Sequence, residues 1–341
     1  MSRERVISGE TVNIQDEAIQ ITLRPKTLDE YVGQQELRGK LKVALTAAKG
    51  RGDAIEHILF YGPPGLGKTT LAHIIANEMG SRIFTTAGPA LQRTGDLMGI
   101  LTNLNDGDVL FIDEIHRLSP MLEEFLYPAM EDFKVDFVVD KGAFAKVVNV
   151  PLKKFTLIGA TTRAGMLSAP LRDRFGLFYH IDFYPPEELE EIVRRSARIL
   201  ECQLDSEACV AVSLRARGTP RIANRLLRRL RDYAQVKGDG TVDSAIALQA
   251  LDAEGVDSAG LDNLDRRMLK VIIEYYKGGP VGIEALGATL NEEVDTLVDM
   301  VEPYLLKIGF VQRTQRGRMA STKAAEHLGL RISDANQQTL F

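Results

Sequence analysis

Nine residues, "GPPGLGKTT" from Gly62 to Thr70, constrain this chain more than any other stretch. The apolar run "HILFY" leads into them and the helical pattern "LAHIIANEM" leads out, so a strand, a glycine-rich loop and a helix follow in order. In that setting Gly62, Gly65 and Gly67 let backbone N–H groups curl around phosphate oxygens. Lys68 adds a compact positive charge at the β- and γ-phosphates, and the hydroxyl of Thr69, with Thr70 beside it, is placed to ligate Mg²⁺. Further β-rich runs at "RIFTT", "DVLFI", "FTLIGAT" and "FYHIDF" alternate with helical patterns, which makes the fold class α/β with a parallel sheet.

The run "VLFIDEIHR" places Asp113 and Glu114 at the end of a buried strand, Asp113 lying 45 residues past Lys68. Unpaired carboxylates there are costly without a metal or a chemical task. Asp113 suits Mg²⁺ held through water, and Glu114 suits orienting and deprotonating an attacking water. Together with the loop, the pair predicts an ATP hydrolase.

At 341 residues the chain is long enough for two or three domains. The paired prolines and acidic residues of "FYPPEELEEIV" close the first, at residues 1–184. An entirely helical pattern follows over 185–255, and after the small-residue linker "DAEGVDSAG" a third unit occupies 256–341. Its order is helix, short helix, a third helix over Asn291–Leu306, then strand, turn and strand, which predicts a winged helix-turn-helix with a mobile tail. No apolar run approaches the ~20 residues of a membrane span, and the first twenty residues lack the apolar block of a signal peptide, so a cytoplasmic protein is expected. Cys202 and Cys209, seven apart in a helix-like stretch, read as buried structural thiols rather than a disulfide or zinc pair.

The net charge of −5 gives no global attraction to nucleic acid, so any such binding needs a local patch. The third helix of the winged unit carries Glu292, Glu293, Asp295, Asp299 and Glu302 and no basic residue, which would be repelled from a major groove. The turn "QRTQRGRMASTK" holds Arg313, Arg316, Arg318 and Lys323 and no acid. Arginines on a protruding wing neutralise phosphates without reading sequence. Between the acidic strand and "FTLIGAT", two β-like runs over 134–150 expose Val138, Val139 and Phe144, either as a packed β-arm or as a partner surface.

"GPPGLGKT", "FIDEIHR" and "ATTR" resemble the AAA+ ATPases. More narrowly, "LRPKTLDEYVGQ", "GATTRAG", "LRDRFG" and "RGTPRIANRLLRRLRDYA" resemble the RuvB family, motor ATPases of Holliday-junction branch migration. The resemblance runs from Leu23 to the winged unit. It implies an AAA+ P-loop domain, a helical lid and a winged-helix head, with ATP and Mg²⁺ as cofactors. It also implies a DNA-translocating hexamer acting on duplex DNA and Holliday junctions in recombination, repair and the SOS response. Residue by residue, it implies that Thr161 is the sensor-1 polar group, that Leu23, Arg24 and Tyr184 flank the adenine, and that Glu131, Asp132 and Phe133 contact nucleotide. Arg221, beside the helix start "GTP", would be the sensor-2 arginine; Arg313 and Arg318 match DNA-contacting positions. The 134–150 hairpin would dock a RuvA-like junction-binding protein, and a junction resolvase is a further implied partner. The terminal "QQTLF" has the Gln-x-x-Leu-Phe spacing of sliding-clamp ligands, which makes Gln337–Phe341 a candidate clamp contact.

In "SAPLRDRFG", Arg172 and Arg174 are either ordinary surface charge or aimed at a phosphate. The glycine-rich loop, Asp113, Glu114 and Thr161 account for one side of an ATP molecule, and nothing on that side supplies a strong charge for the equatorial oxygens of the leaving phosphate. Arg174 lies where AAA+ proteins present an arginine finger to the neighbouring subunit, with Arg172 as interface support. Two rival readings are a clamp-loader-type AAA+ switch and an ATP-regulated winged-helix regulator; the basic wing opposes the first and the acidic third helix the second.

Overall fold

A computed structural model describes residues 21–139 and 146–332, with the side chains of 137–139 and 146–147 also outside the description. The hairpin tip with Phe144, the side chains of Val138 and Val139, and the terminal Gln337–Phe341 therefore lie outside the described residues. The described chain divides into two compact units: one is Arg24–Gly62 with Leu66–Asp182, and the other takes Leu23, Pro63–Gly65 and the chain from Phe183 onward.

The first unit is built on five parallel strands in the order β2-β3-β6-β1-β7, where β1 is Ile58–Tyr61, β2 Ile83–Ala87, β3 Val109–Asp113, β6 Thr156–Thr161 and β7 Leu177–His180. The three inner strands read as near-continuous apolar runs because helices cover both faces of a parallel sheet. Register brings Tyr61 opposite Thr161 and Ile112 opposite Gly159, so the C-terminal ends of β1, β3 and β6 lie together on one side of the sheet. Gly159 in β6 is closely packed. A Cβ there would stand 2.9 Å from Leu59 Cδ1, 3.1 Å from Ile115 Cδ1 and 3.2 Å from Phe175 Cζ. Outside this sheet, β4 (Lys134–Val139) and β5 (Lys146–Pro151) form an antiparallel ladder of their own, from Lys134 opposite Pro151 to Val139 opposite Lys146.

The second unit begins with four helices, Pro186–Ile199, Ser206–Arg215, Pro220–Lys237 and Ser244–Ala253. Asp205 and Asp243 cap the second and fourth by accepting the N–H of Ala208 and Ile246. Cys209 is buried in the second helix as expected. Cys202 is not, because the preceding helix ends at Ile199 and leaves it half-buried in the connection; both thiols are free.

Helices Asn263–Lys270 and Ile283–Leu290 and the strands β8 (Val311–Thr314) and β9 (Gly317–Ala320) surround a separate core containing Leu269, Leu286, Leu297, Val301 and Leu305. The third helix starts at Val294 rather than Asn291. Asn291 adopts the left-handed conformation (φ 54°) that terminates Ile283–Leu290, and Glu293 precedes the new helix in extended backbone. This helix widens to a π-turn over Leu297–Val301 before Glu302–Lys307. Pro303 lacks an N–H and crowds the carbonyl four residues earlier, and a wider turn accommodates both effects.

Candidate functional site

In the first unit, Gly62 follows β1 with a φ of 144° that excludes other residues; a Cβ there would run into the Ile181 carbonyl. Gly67 has φ 105° and opens the helix Lys68–Met79, so the first-turn N–H groups, including those of Thr69 and Thr70, lie at the positive end of the helix dipole. Lys68 is buried and donates to the Gly62 carbonyl at 2.7 Å. The loop thus closes on its own lysine. Thr69 and Asp113 supply the hard oxygen donors that suit Mg²⁺, an ion that completes its shell with water and substrate phosphates, so the residues fit such a cofactor.

On the same side of the sheet, Asp113 ends β3 and accepts the Glu114 N–H at 3.0 Å. Glu114 takes a left-handed conformation, φ 46°, a strained geometry for a non-glycine residue that is common at functional sites. Its carboxylate lies 3.2 Å from His116 Nδ1 and accepts from Thr162 Oγ1 at 3.4 Å. Burial pushes the Glu114 carboxyl upward, but the His116 hydrogen bond and the nearby Lys68 charge hold it below the usual range. Thr161, fully buried, sits 2.9 Å from the same His116 Nδ1 through its hydroxyl, which also accepts the Arg163 N–H. A single ring nitrogen therefore faces both Glu114 and Thr161. Protonated, it donates to one of them; unprotonated, it accepts the Thr161 hydroxyl proton and offers the carboxylate nothing. Nothing in the motif chemistry marks out His116 or Thr162, although His116 stands inside the "DEIHR" run.

Arg24 lies close enough to His73 to act on it electrostatically; burial and then the Arg24 charge lower the His73 pKa.

A second constellation brings together residues from three separate sequence segments. Ser168 caps the short helix Ala169–Arg172, and its hydroxyl meets the Tyr127 hydroxyl at 3.1 Å. Arg172 is exposed on that helix. Arg174 emerges just beyond it, donates to the Pro170 carbonyl at 2.6 Å and to Glu131 at 3.1 Å, and stacks 4.3 Å above the Tyr127 ring. Glu131 closes the helix Pro120–Glu131, whose end is pinned by His57: Nδ1 accepts the Leu157 N–H while Nε2 meets the Met130 carbonyl, so the buried ring is neutral. Asp132 pairs instead with Lys134, at 2.8 Å. Phe133, at φ 51°, turns its ring toward His57 and Phe155. Arg174 and Phe133, with Arg51, His57 and Lys154, line a cleft of ≈ 440 Å³.

In the second unit, Tyr184 is buried and its N–H donates to the Gly218 carbonyl at 2.8 Å. The Leu23 carbonyl accepts from Arg195 at 2.7 Å. Arg221 lies in the first turn of Pro220–Lys237, with its N–H 3.4 Å from the Gly65 carbonyl. Leu23, Gly65, Tyr184 and Arg221 thus fall in one unit, and the remaining expected nucleotide residues in the other.

Two of the wing arginines are paired with an acid from the third helix. Arg313 and Arg318 face each other across β8 and β9, and both are held by Glu302, which is fully buried. Glu302 Oε1 accepts from Arg313 Nε at 3.0 Å and Arg318 Nε at 2.8 Å, while Oε2 accepts from Nη2 of each, at 2.5 and 3.4 Å. Burial raises the Glu302 carboxyl, and the hydrogen bonds from Arg313 and Arg318 more than reverse it. Arg316, at the turn, is exposed.

Three family models match in succession: the Holliday junction DNA helicase RuvB P-loop domain over residues 23–181, the RuvB AAA lid domain over 184–257 and the RuvB C-terminal winged helix domain over 258–329. The chain belongs to the RuvB family. Among solved structures, the Thermotoga maritima RuvB Holliday junction branch migration motor is similar at 49% identity and a TM-score of 0.85, covering 92% of this chain and 100% of that one. A lysine-to-arginine variant of the Thermotoga maritima protein matches at 48% identity and TM-score 0.85, over 91% of this chain and 99% of that chain. An arginine-to-alanine variant matches at 49% and 0.84 over the same shares. As a RuvB-family chain it is an AAA+ nucleotide-binding protein with a winged-helix domain.

Proposed function

We propose that this chain is an ATP-hydrolysing motor that drives branch migration of Holliday junctions, working as a hexameric ring on duplex DNA with a RuvA-like junction-binding partner in the cytoplasm. The observation that carries the reading is the side of the sheet shared by the ends of β1, β3 and β6, where the loop of Lys68 meets Asp113, Glu114 and Thr161 in a chain of the RuvB family.

The loop amides, Lys68, Thr69 and Thr70 hold the phosphates of ATP. Thr69 and Asp113 would hold Mg²⁺, which would supply neutralisation of the charge developing on the phosphates. Glu114 orients the attacking water and accepts its proton, with His116 setting where the carboxylate points. Thr161 contacts the departing phosphate. Leu23, Arg24 and Tyr184 flank the adenine, and Arg221 reports the state of the γ-phosphate.

Arg174 acts on the neighbouring subunit's nucleotide, and Glu131, Asp132 and Phe133 belong to the same trans-acting edge. The pairing of Arg174 with Glu131 and Tyr127 supports this, because it gathers these contacts on one surface. The division into a large ATPase domain (1–184), a lid (185–255) and a winged head (256–341) belongs to this reading, with Arg313, Arg316 and Arg318 contacting DNA phosphates and the 134–150 hairpin docking the partner.

The test is ATPase rate and dissociation of a synthetic four-way junction, each measured with and without a junction-binding partner. ATP-dependent dissociation that is indifferent to sequence is expected. Absence of dissociation under every condition would overturn the motor reading.

A further inference from the structure

Two like charges directly opposite on an antiparallel hairpin repel, and Arg313 and Arg318 are such a pair. One carboxylate, Glu302, offsets both by accepting Nε and Nη2 from each guanidinium, leaving the two Nη1 groups outside that clamp. The clamp has a rigid base. Glu302 follows directly on the π-turn Leu297–Val301, and β9 is bridged to Val281 by two backbone hydrogen bonds of 2.8 and 2.9 Å at Arg318. The turn between the strands is fixed as well, since Thr314 Oγ1 donates to the Gly317 carbonyl and accepts the Arg316 N–H.

An unrestrained arginine loses much rotamer freedom when it binds a phosphate, and a side chain already held in place loses less. A structural ion pair needs only one arginine; here a buried acid holds two at the base of a turn whose tip is cationic. We propose that Glu302 is a positioning residue for DNA binding: it holds Arg313 and Arg318 side by side so that their free edges meet successive backbone phosphates, at the cost of one unit of local positive charge. This rests on the wing reading above.

The two contributions of Glu302 have opposite signs, which makes Glu302→Gln decisive. Glutamine removes a negative charge, so electrostatics alone predicts tighter DNA binding. Loss of positioning predicts weaker binding, by about tenfold at 0.1 M salt, since two side chains must now be ordered on binding. The salt dependence should steepen at the same time, by about one unit of slope, because the arginines no longer share their charge with a carboxylate.

Duplex affinity is measured against salt concentration for the full chain, with thermal melting of each variant. Weaker binding with a steeper slope is the expected result. Unchanged or tighter binding overturns the proposal, and so does weaker binding with a shallower slope, which is what a collapsed wing would give. Arg313→Lys provides a second variant that keeps the charge but cannot make the two-pronged pair; it should weaken binding at an unchanged slope, and wild-type affinity would overturn the proposal. Arg316→Glu tests the underlying reading separately. If that variant binds DNA with the wild-type affinity and slope, the wing itself is not a DNA contact; if it binds weakly while Glu302→Gln does not, only the positioning role fails.

Discussion

Replacing Arg174 by alanine should separate stability from catalysis. Within the subunit, Arg174 makes an ion pair with a half-exposed Glu131 and a stack on Tyr127. An exposed pair contributes ~0.2–1 kcal/mol, and an exposed cation–π contact ~0.5–1 kcal/mol. Its Nε is buried without a hydrogen-bond partner, which offsets part of that gain. The fold should therefore lose less than about 2 kcal/mol, a shift of a few degrees in melting temperature. As an arginine finger the same side chain accounts for ~10³-fold or more in rate, which is about 4 kcal/mol of transition-state stabilisation. The expected phenotype is a folded protein that binds ATP and barely hydrolyses it. Mixing Arg174→Ala with Lys68→Ala supplies the sharper assay: each variant is inactive alone, but an interface pairing the intact loop of one with the intact arginine of the other is complete. With random assembly in equal amounts, roughly a quarter of interfaces are complete, so a comparable share of wild-type ATPase should return. Arg174→Ala retaining activity within about tenfold of wild type would refute the finger, and a mixture no more active than its components would refute sharing between subunits.

His116→Ala should leave ATP binding intact while lowering kcat by ~10²-fold, because Glu114 loses the group that sets its direction; His116→Gln, whose amide can still donate, should recover part of the rate. Arg217 and Asp265 form a fully buried pair at 2.8 Å, so Arg217→Ala should destabilise the second unit by about 3–5 kcal/mol in urea unfolding by stranding Asp265. Arg217→Met combined with Asp265→Asn should restore much of that loss, since neither member of the pair then carries a charge. Glu302 has a folded pKa below its unfolded one, so its contribution to stability is present above about pH 4.5 and is lost as pH falls through the folded value. The melting-temperature gap between wild type and Glu302→Gln should accordingly be widest near neutrality and close in acid; a constant gap would contradict the ion pairing.

The nucleotide loop was legible in the sequence because its chemistry is local: glycines with positive φ, a lysine and a hydroxyl follow one another within nine residues. The order of elements was legible for a related reason, since strand and helix periods differ. Glu302 was not. Counted among five acids on one helix, it reads as part of a solvated acidic face, and only the π-turn and the return of the wing show that it is buried and spent on arginines. The same limit applies to Arg174, which lies more than forty residues from both Tyr127 and Glu131 and meets them only through the fold. His116 was visible in its motif, but nothing in the spacing says that one ring nitrogen faces both the strand end of β6 and the carboxylate after β3.

Gly159 has a mechanical consequence. A Cβ on Gly159 would stand 3.2 Å from Phe175 Cζ, so the strand that ends at Thr161 packs directly against the buried ring beside Arg174. A displacement of the strand would press first on the ring of Phe175, the residue next in sequence to that arginine. The same β-strand would then act as a push-rod, gearing the state of a subunit's own nucleotide to the hold it has on the next one.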